Sequence, residues 1–310
     1  MLKMRQIILI LLLSLGMFLT SCKKDRDPSN LPTPVQTSSE YTAETMLTPQ
    51  AIIPTEIIPE IPLAAMVNGE GILLEDYERE LALYKASFAD EDPMPNDEDI
   101  KQIVIDFLIE QQLLVCAAHK NGYTLSDQAL NDKFEQLSKE IGGAEAMNAW
   151  MQNNHYHSES LLRSLSLAST AAYQRDLIIA QIPEAVEQVR AQQIFSTSKE
   201  TINGAEQSLI GGSDFNKLAW DHNPKTGGEL GWFPRDYLLF PEIEEVAFSL
   251  PVGSRSEIIQ TDLGYHIIFI IAHEDAHPLS TDARVALQSK ALNEWLSKAR
   301  EEAVIELFIP

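Results

Sequence analysis

Apolar positions recur at helical spacing through most of residues 64–182, turn strand-like between about 185 and 273, and return to helical spacing near the end. Met66-Val67-Asn68-Gly69 reads as a short strand and turn, and Glu75–Lys85 as a helix. Ile100, Ile103, Val104, Phe107, Leu108, Leu114, Val115 and Ala118 share one helical stripe, with Gly122 where a C-cap belongs. Ser126-Asp127 suits the N-cap of a following helix, in which Leu130, Phe134, Leu137 and Ile141 repeat the period. A further helix is predicted from about Ser158 to Ala180, before Pro183 stops it.

Gln188–Phe195 then reads as a strand, Lys199–Ile210 and Pro241–Leu250 as helices, and Ile258–Gln260 and Tyr265–Ile271 as apolar β-rich runs. This is the pattern of a small α+β unit. It precedes a long amphipathic helix, Thr281–Val304, with Leu287, Ala291, Trp295, Leu296 and Ala299 along one stripe. That stripe needs a partner surface, which the small α+β unit cannot spare. The helix is therefore expected to return to the helical region of 64–182.

The start of the chain has a different texture. Lys3 and Arg5 precede a 13-residue mostly apolar run, Ile7–Leu19, which is short for a bilayer span and suits a signal-peptide core. It ends in Leu19-Thr20-Ser21-Cys22, which resembles a bacterial lipobox, so Cys22 is expected to be lipidated. The alternative is an uncleaved anchor with an incidental cysteine. Lys23–Pro62 then holds seven of the chain's 16 prolines among many Ser and Thr, the composition of an extended spacer. At about 3 Å per residue it spans on the order of 100 Å. The repeated Ile-Ile-Pro at 52–54 and 57–59 has a second reading as a docking strand. The expected organisation is a signal peptide (1–21), a lipidated Pro/Ser/Thr-rich tether (22–63), a helical domain (64–183), an α+β domain (184–275) and a C-terminal returning segment (276–310).

Charge narrows the partners. The chain has 23 Lys+Arg against 46 Asp+Glu, a net charge of −23, and cleavage before Cys22 removes Lys3 and Arg5 to leave −25. So acidic a surface argues against nucleic acid and against electrostatic docking on anionic lipid. Acyl chains on Cys22 would supply the membrane attachment instead. Two cysteines are too few for a disulfide framework or a Cys-rich zinc site, and Cys116, beside a core stripe, reads as an inert thiol. His155-Tyr156-His157 lacks acid ligands at metal spacing.

Several segments resemble parvulin-type peptidyl-prolyl isomerases. These are Val189-Arg190-Ala191-Gln192-Gln193-Ile194, Asp214-Phe215-Asn216-Lys217-Leu218-Ala219 and Gly227-Gly228-Glu229-Leu230-Gly231-Trp232-Phe233, followed by Phe240-Pro241-Glu242-Ile243-Glu244-Glu245-Val246-Ala247-Phe248 and Gly264-Tyr265-His266-Ile267-Ile268. Their order and spacing carry the likeness. The flanking helices, including Phe107-Leu108-Ile109-Glu110-Gln111-Gln112-Leu113-Leu114, resemble the helical domain of the SurA and PrsA exported foldases. The resemblance implies a four-stranded antiparallel sheet with helices and a shallow proline groove. That unit would be inserted into a helical chaperone domain built from N- and C-terminal segments.

The resemblance also assigns site residues. His266 matches the second of the family's two core histidines, and Gln193 stands where the first would be. Asn223 aligns with the position usually held by Cys or Asp, in a shortened loop. Leu239, Phe240 and Ile243 match the apolar wall that receives the proline, and Leu263 replaces a common hydroxyl residue. Trp232 is grouped with the groove, its plainer reading being packing at the sheet edge. His266 has both a catalytic and a core-histidine reading. The reaction twists an X–Pro amide over a barrier of about 20 kcal/mol without making or breaking a bond, so no metal or cofactor is implied. The implied partners are unfolded or nascent exported polypeptides with X–Pro bonds, and the membrane through Cys22. The implied location is extracytoplasmic: the outer face of the cell membrane, or the periplasm or outer membrane of a two-membrane cell. With one core histidine missing, the expected catalysis is weak. A non-catalytic holdase with a degenerate parvulin unit is the rival.

Overall fold

The computed structural model describes residues 61–88 and 96–309; the readings for the leader, Cys22 and most of the tether lie outside them. The described chain opens with a hairpin, β1 (Leu63–Val67) and β2 (Glu70–Leu73). Asn68 and Gly69 take φ of 52° and 87°, the left-handed pair that a two-residue hairpin turn requires. Five helices follow: α1 (Leu74–Ser87), α2 (Asp97–Lys120), α3 (Asp127–Ile141), α4 (Ala144–Asn153) and α5 (Ser158–Ile179).

Helix α2 is the central post. The Asn96 side chain caps it by accepting from the Glu98 amide at 3.1 Å, and three acids occupy its first turn. It closes in a Schellman motif, with the Tyr123 amide donating to Ala118 and that of Gly122, at φ 79°, donating to His119. The hairpin and α1 cover one side of α2, and α5 the other. Its buried face is consequently wider than one stripe: Ile105, Ile109 and Leu113 are interior, whereas Ile103 is 48% exposed. Ser126 caps α3 as expected, but Leu130, Phe134, Leu137 and Ile141 are only half-buried. Helix α4 adds to the elements that periodicity predicts; the Gly142-Gly143 break separates it from α3, and Met147, Trp150 and Met151 anchor it. An ionic cluster joins α1 to α5. Buried Arg79 donates to Asp76 at 2.7 Å, Arg163 donates to both Asp76 oxygens at 2.9 Å, and the Arg79 guanidinium lies 4.3 Å from the Tyr156 ring centroid. His157 accepts from the Ser160 amide as the N-cap of α5.

The second half is an antiparallel four-stranded sheet, β3 (Ala185–Ser196), β4 (Glu229–Pro234), β5 (Ile259–Thr261) and β6 (Gly264–Pro278), in the order β4-β3-β6-β5. Helices α6 (Lys199–Ile210) and α7 (Phe215–His222) cover one face, where Ile194 and Ile267 meet Ile202, Ala205, Phe215 and Ala219. Helix α8 (Pro241–Ser249) covers the other, where Val189, Ala191, Ile268 and Ile270 meet Phe233, Ile243, Ala247 and Phe248. The fold is α+β, as the sequence suggested.

The chain then returns. Helix α9 (Thr281–Glu302) lies against α2 and α5, with Leu296 buried and Arg300 paired with Asp106. A last strand, β7 (Ile305–Leu307), pairs with β1 to complete a second sheet in the order β2-β1-β7. Ala299, Ala303 and Ile305 therefore share a core with Ala64, Val67, Val104 and Leu108. Both ends of the described chain build one hydrophobic interior.

Candidate active site

Strand register assembles the site on the face of the sheet that α8 covers. Phe195 on β3 lies opposite His266 on β6, and Gln193, two residues back, shares their face. The Gln193 side-chain carbonyl oxygen is 2.9 Å from His266 Nδ1. On the other side β5 pairs Ile259 with His266 and ends at Thr261, whose hydroxyl is 3.0 Å from His266 Nε2. With the Gln193 oxygen accepting, Nδ1 carries the proton and Nε2 accepts from Thr261. Burial pushes the His266 pKa below the ordinary histidine value, so the imidazole is held neutral and oriented at both nitrogens.

Aromatic rings flank it. The Phe195 centroid is 4.8 Å from that of His266, and Phe240 approaches to 6.1 Å from α8, where it is the N-cap residue before Pro241. The loop leading to Phe240 is tied down by Glu244, 7% exposed, whose carboxylate accepts the amides of Asp236 and Tyr237 at 2.7 Å and that of Leu238. Leu239, next to Phe240, is 83% exposed, and Leu263, at the β5–β6 turn, is 57% exposed. Ile243 is 4% exposed and belongs to the core beneath the groove rather than to its surface.

Two other expected residues stand apart from His266. Trp232 lies opposite Arg190, while its neighbour Phe233 packs against Phe248. Alternation along β4 therefore turns Trp232 to the opposite face, where it stacks on His277 at 4.0 Å. The Asn223 side chain is spent within its own turn, accepting from the amides of Lys225 at 3.3 Å and Thr226 at 3.4 Å. That turn nevertheless abuts the site. Gln192 donates to the Gly227 carbonyl at 2.6 Å, and the Gln193 amide donates to that of Gly228 at 2.8 Å. A Cβ on Gly228 would lie 1.9 Å from the Gln193 carbonyl oxygen, so this close approach requires glycine.

Thr261 and Glu244 escaped the sequence reading. Thr261 is recognisable only through the β5–β6 register, and Glu244 only through the shape of the loop that folds back onto it.

Parts of the chain are similar to known proteins. Residues 178–272 match the family model of the PPIC-type PPIase (rotamase) domain, and residues 60–159 that of the SurA-like N-terminal domain. The chain is similar to the foldase protein PrsA of Caldanaerobacter subterraneus subsp. tengcongensis, 28% identical over 232 residues, which are 66% of this chain and 72% of that protein. It is also 28% identical over 171 residues to PrsA of Oceanobacillus iheyensis, covering 51% of this chain and 57% of that one. A solved structure of the peptidylprolyl isomerase PrsA from Bacillus cereus aligns with 78% of this chain and 86% of that one, at a TM-score of 0.42 and 18% identity. The chain thus carries a parvulin-type peptidyl-prolyl cis-trans isomerase domain of the PPIC type behind a SurA-like N-terminal domain.

Proposed function

We propose that this protein is a membrane-tethered extracytoplasmic foldase that binds unfolded exported polypeptides and isomerises their X–Pro bonds. The observation that carries the reading is His266, fixed between Gln193 and Thr261 with the Phe240 ring beside it. Rotation about the C–N bond needs loss of amide conjugation, not a nucleophile. An apolar seat holds the proline ring while the preceding carbonyl turns, and a surface that fits the twisted amide better than the planar one lowers the barrier. Leu239 and Phe240 supply that seat, and His266 with its two partners forms its fixed polar floor.

In this reading residues 64–183 together with 276–310 form the client-binding part, and 184–275 the isomerase. The half-buried stripe Leu130, Phe134, Leu137 and Ile141 on α3 offers apolar surface suited to unfolded chains. Tethering rests on the lipobox-like sequence at Cys22. Cys22→Ala is expected to release the protein from membranes or leave it unprocessed. Unchanged mass and membrane association would refute the tether.

A non-catalytic holdase is favoured by two specific observations: a glutamine in place of the first histidine, and an Asn223 side chain bound within its own turn. A protease-coupled proline-peptide assay decides between them. The foldase reading expects acceleration by the full chain, increased by Gln193→His. If neither form exceeds background while both still suppress aggregation of an unfolded client, the holdase is the correct account.

A further inference from the structure

We infer that Glu244 is the positioning residue of the proline groove, an internal carboxylate that fixes loop 236–240 and thereby sets where Phe240 stands beside His266. Three successive backbone amides, those of Asp236, Tyr237 and Leu238, converge on this one side chain. Consecutive N–H groups curled in this way form an anion-binding nest, and here the occupant is the chain's own carboxylate. Asp236 takes φ 65°, the left-handed conformation that bends the amides inward.

The arrangement is costly without a purpose. Glu244 is 7% exposed, and the three amides are the partners that offset the burial of its charge. The side chains of Tyr237 and Leu238 pack against the core, and charged contacts hold the start of the loop. Arg235 lies over Phe248 at 4.1 Å, and Lys290 of α9 reaches Asp236 at 2.6 Å. Tyr237 and Leu238, the residues just before Leu239 and Phe240, have their amides secured by Glu244. The groove wall is thus hung from a residue one helical turn beyond it. Glu244 touches neither His266 nor the seat of the proline ring, so it acts through the loop.

The inference rests on the isomerase reading, and its test separates the two. In Glu244→Gln, size is kept but an NH2 group replaces one acceptor and faces donors. In the full chain, kcat/KM for a proline peptide is expected to fall about tenfold, mainly through KM, because the loop presents a binding surface. Amides 236–238 should exchange faster, while the His266 ring resonances stay in place. Glu245→Gln, on the exposed side of α8, is the control expected to change neither. Unchanged kcat/KM despite faster exchange, or a loss confined to kcat, overturns the inference. A second measurement needs no variant: saturating the unmodified chain with proline peptide should shift the amide resonances of Asp236, Tyr237 and Leu238 and slow their exchange. Peptide binding that leaves all three unmoved also overturns it, even if Glu244→Gln fails to fold. Because this titration reads binding, it decides the role of Glu244 even if the unmodified chain proves not to isomerise X–Pro bonds.

Discussion

Phe240 and Ile243 are three residues apart on the same helix start, yet truncating them should have different consequences. The Phe240 ring is half-buried and lies 6.1 Å from His266, whereas Ile243 is 4% exposed in the core with Val189, Phe233 and Ile268. If the proline ring covers on the order of 50 Å² of Phe240, at about 25 cal/mol per Å² the contact is worth about 1.3 kcal/mol. Its loss in Phe240→Ala should lower kcat/KM about tenfold. Stability should also fall, but by less than for a fully buried residue, because the half-buried ring packs against the core on one side only. Ile243→Ala instead leaves a cavity, costing about 2–5 kcal/mol. In a folded unit of this size that shifts Tm by roughly 4–20 °C. Its kcat/KM, measured well below that Tm, should stay within about threefold of the parent value. Thermal unfolding by circular dichroism and the protease-coupled peptide assay, run on the same preparations, separate the two effects. Phe240→Ala with undiminished kcat/KM, or Ile243→Ala that loses activity at an unchanged Tm, would refute the division between wall and core.

Other substitutions probe the frame around the groove. Gly228→Ala combines a left-handed backbone with a Cβ driven onto the Gln193 carbonyl, so it should cost about 3 kcal/mol or more and disturb the Gln193–His266 contact; a melting curve matching the parent would contradict this. Because the folded protein holds the His266 pKa below the ordinary value, the unfolded chain binds more protons below about pH 7. The stabilisation is fully present above the ordinary histidine pKa and is lost as pH falls through it towards the folded value. His266→Gln should therefore show a shallower fall in Tm between about pH 7.5 and 5 than the parent, as read by calorimetry. Burial pushes the Cys116 thiol up to about 11 from an ordinary 9, so in a Cys22→Ser background its labelling by a disulfide reagent at neutral pH should be at least about 100-fold slower native than unfolded.

The helices were legible because their signals are local. Ser126 marks a helix start, Gly122 marks an end, and apolar periodicity names the interior faces. Where burial depends on more than one neighbour, periodicity misleads: Ile103 fits the α2 stripe but faces outward, because the hairpin and α5 together rotate the buried sector towards Ile105 and Ile109. Strand β7 has three residues and no pattern of its own, so only its pairing with β1 reveals it. The site shows the same division. Gln193, His266 and Phe240 are named by motifs; strand register joins the first two, and the start of α8 brings Phe240 to them. Asn223 occupies an alignment position rather than a geometric one: the shortened turn consumes its oxygen as an internal acceptor. Thr261 joins His266 through an antiparallel register that no local sequence signal specifies.

The topology also links the groove to the helical core. Strand β6 runs on past the site, pairing through Pro278 with the start of β3, and continues after a short break into α9. Helix α9 then reaches in two directions: Arg300 joins Asp106 on α2, and Lys290 joins Asp236 on the loop that carries the groove wall. The Lys290–Asp236 pair is exposed and contributes little stability by itself. Its geometric effect is greater, because one end of it sits on a helix fixed by the core and the other on a loop whose inner face is fixed by Glu244. The loop that carries the groove wall is therefore tied to the returning helix through Lys290, a contact that an isolated 184–275 segment would lack.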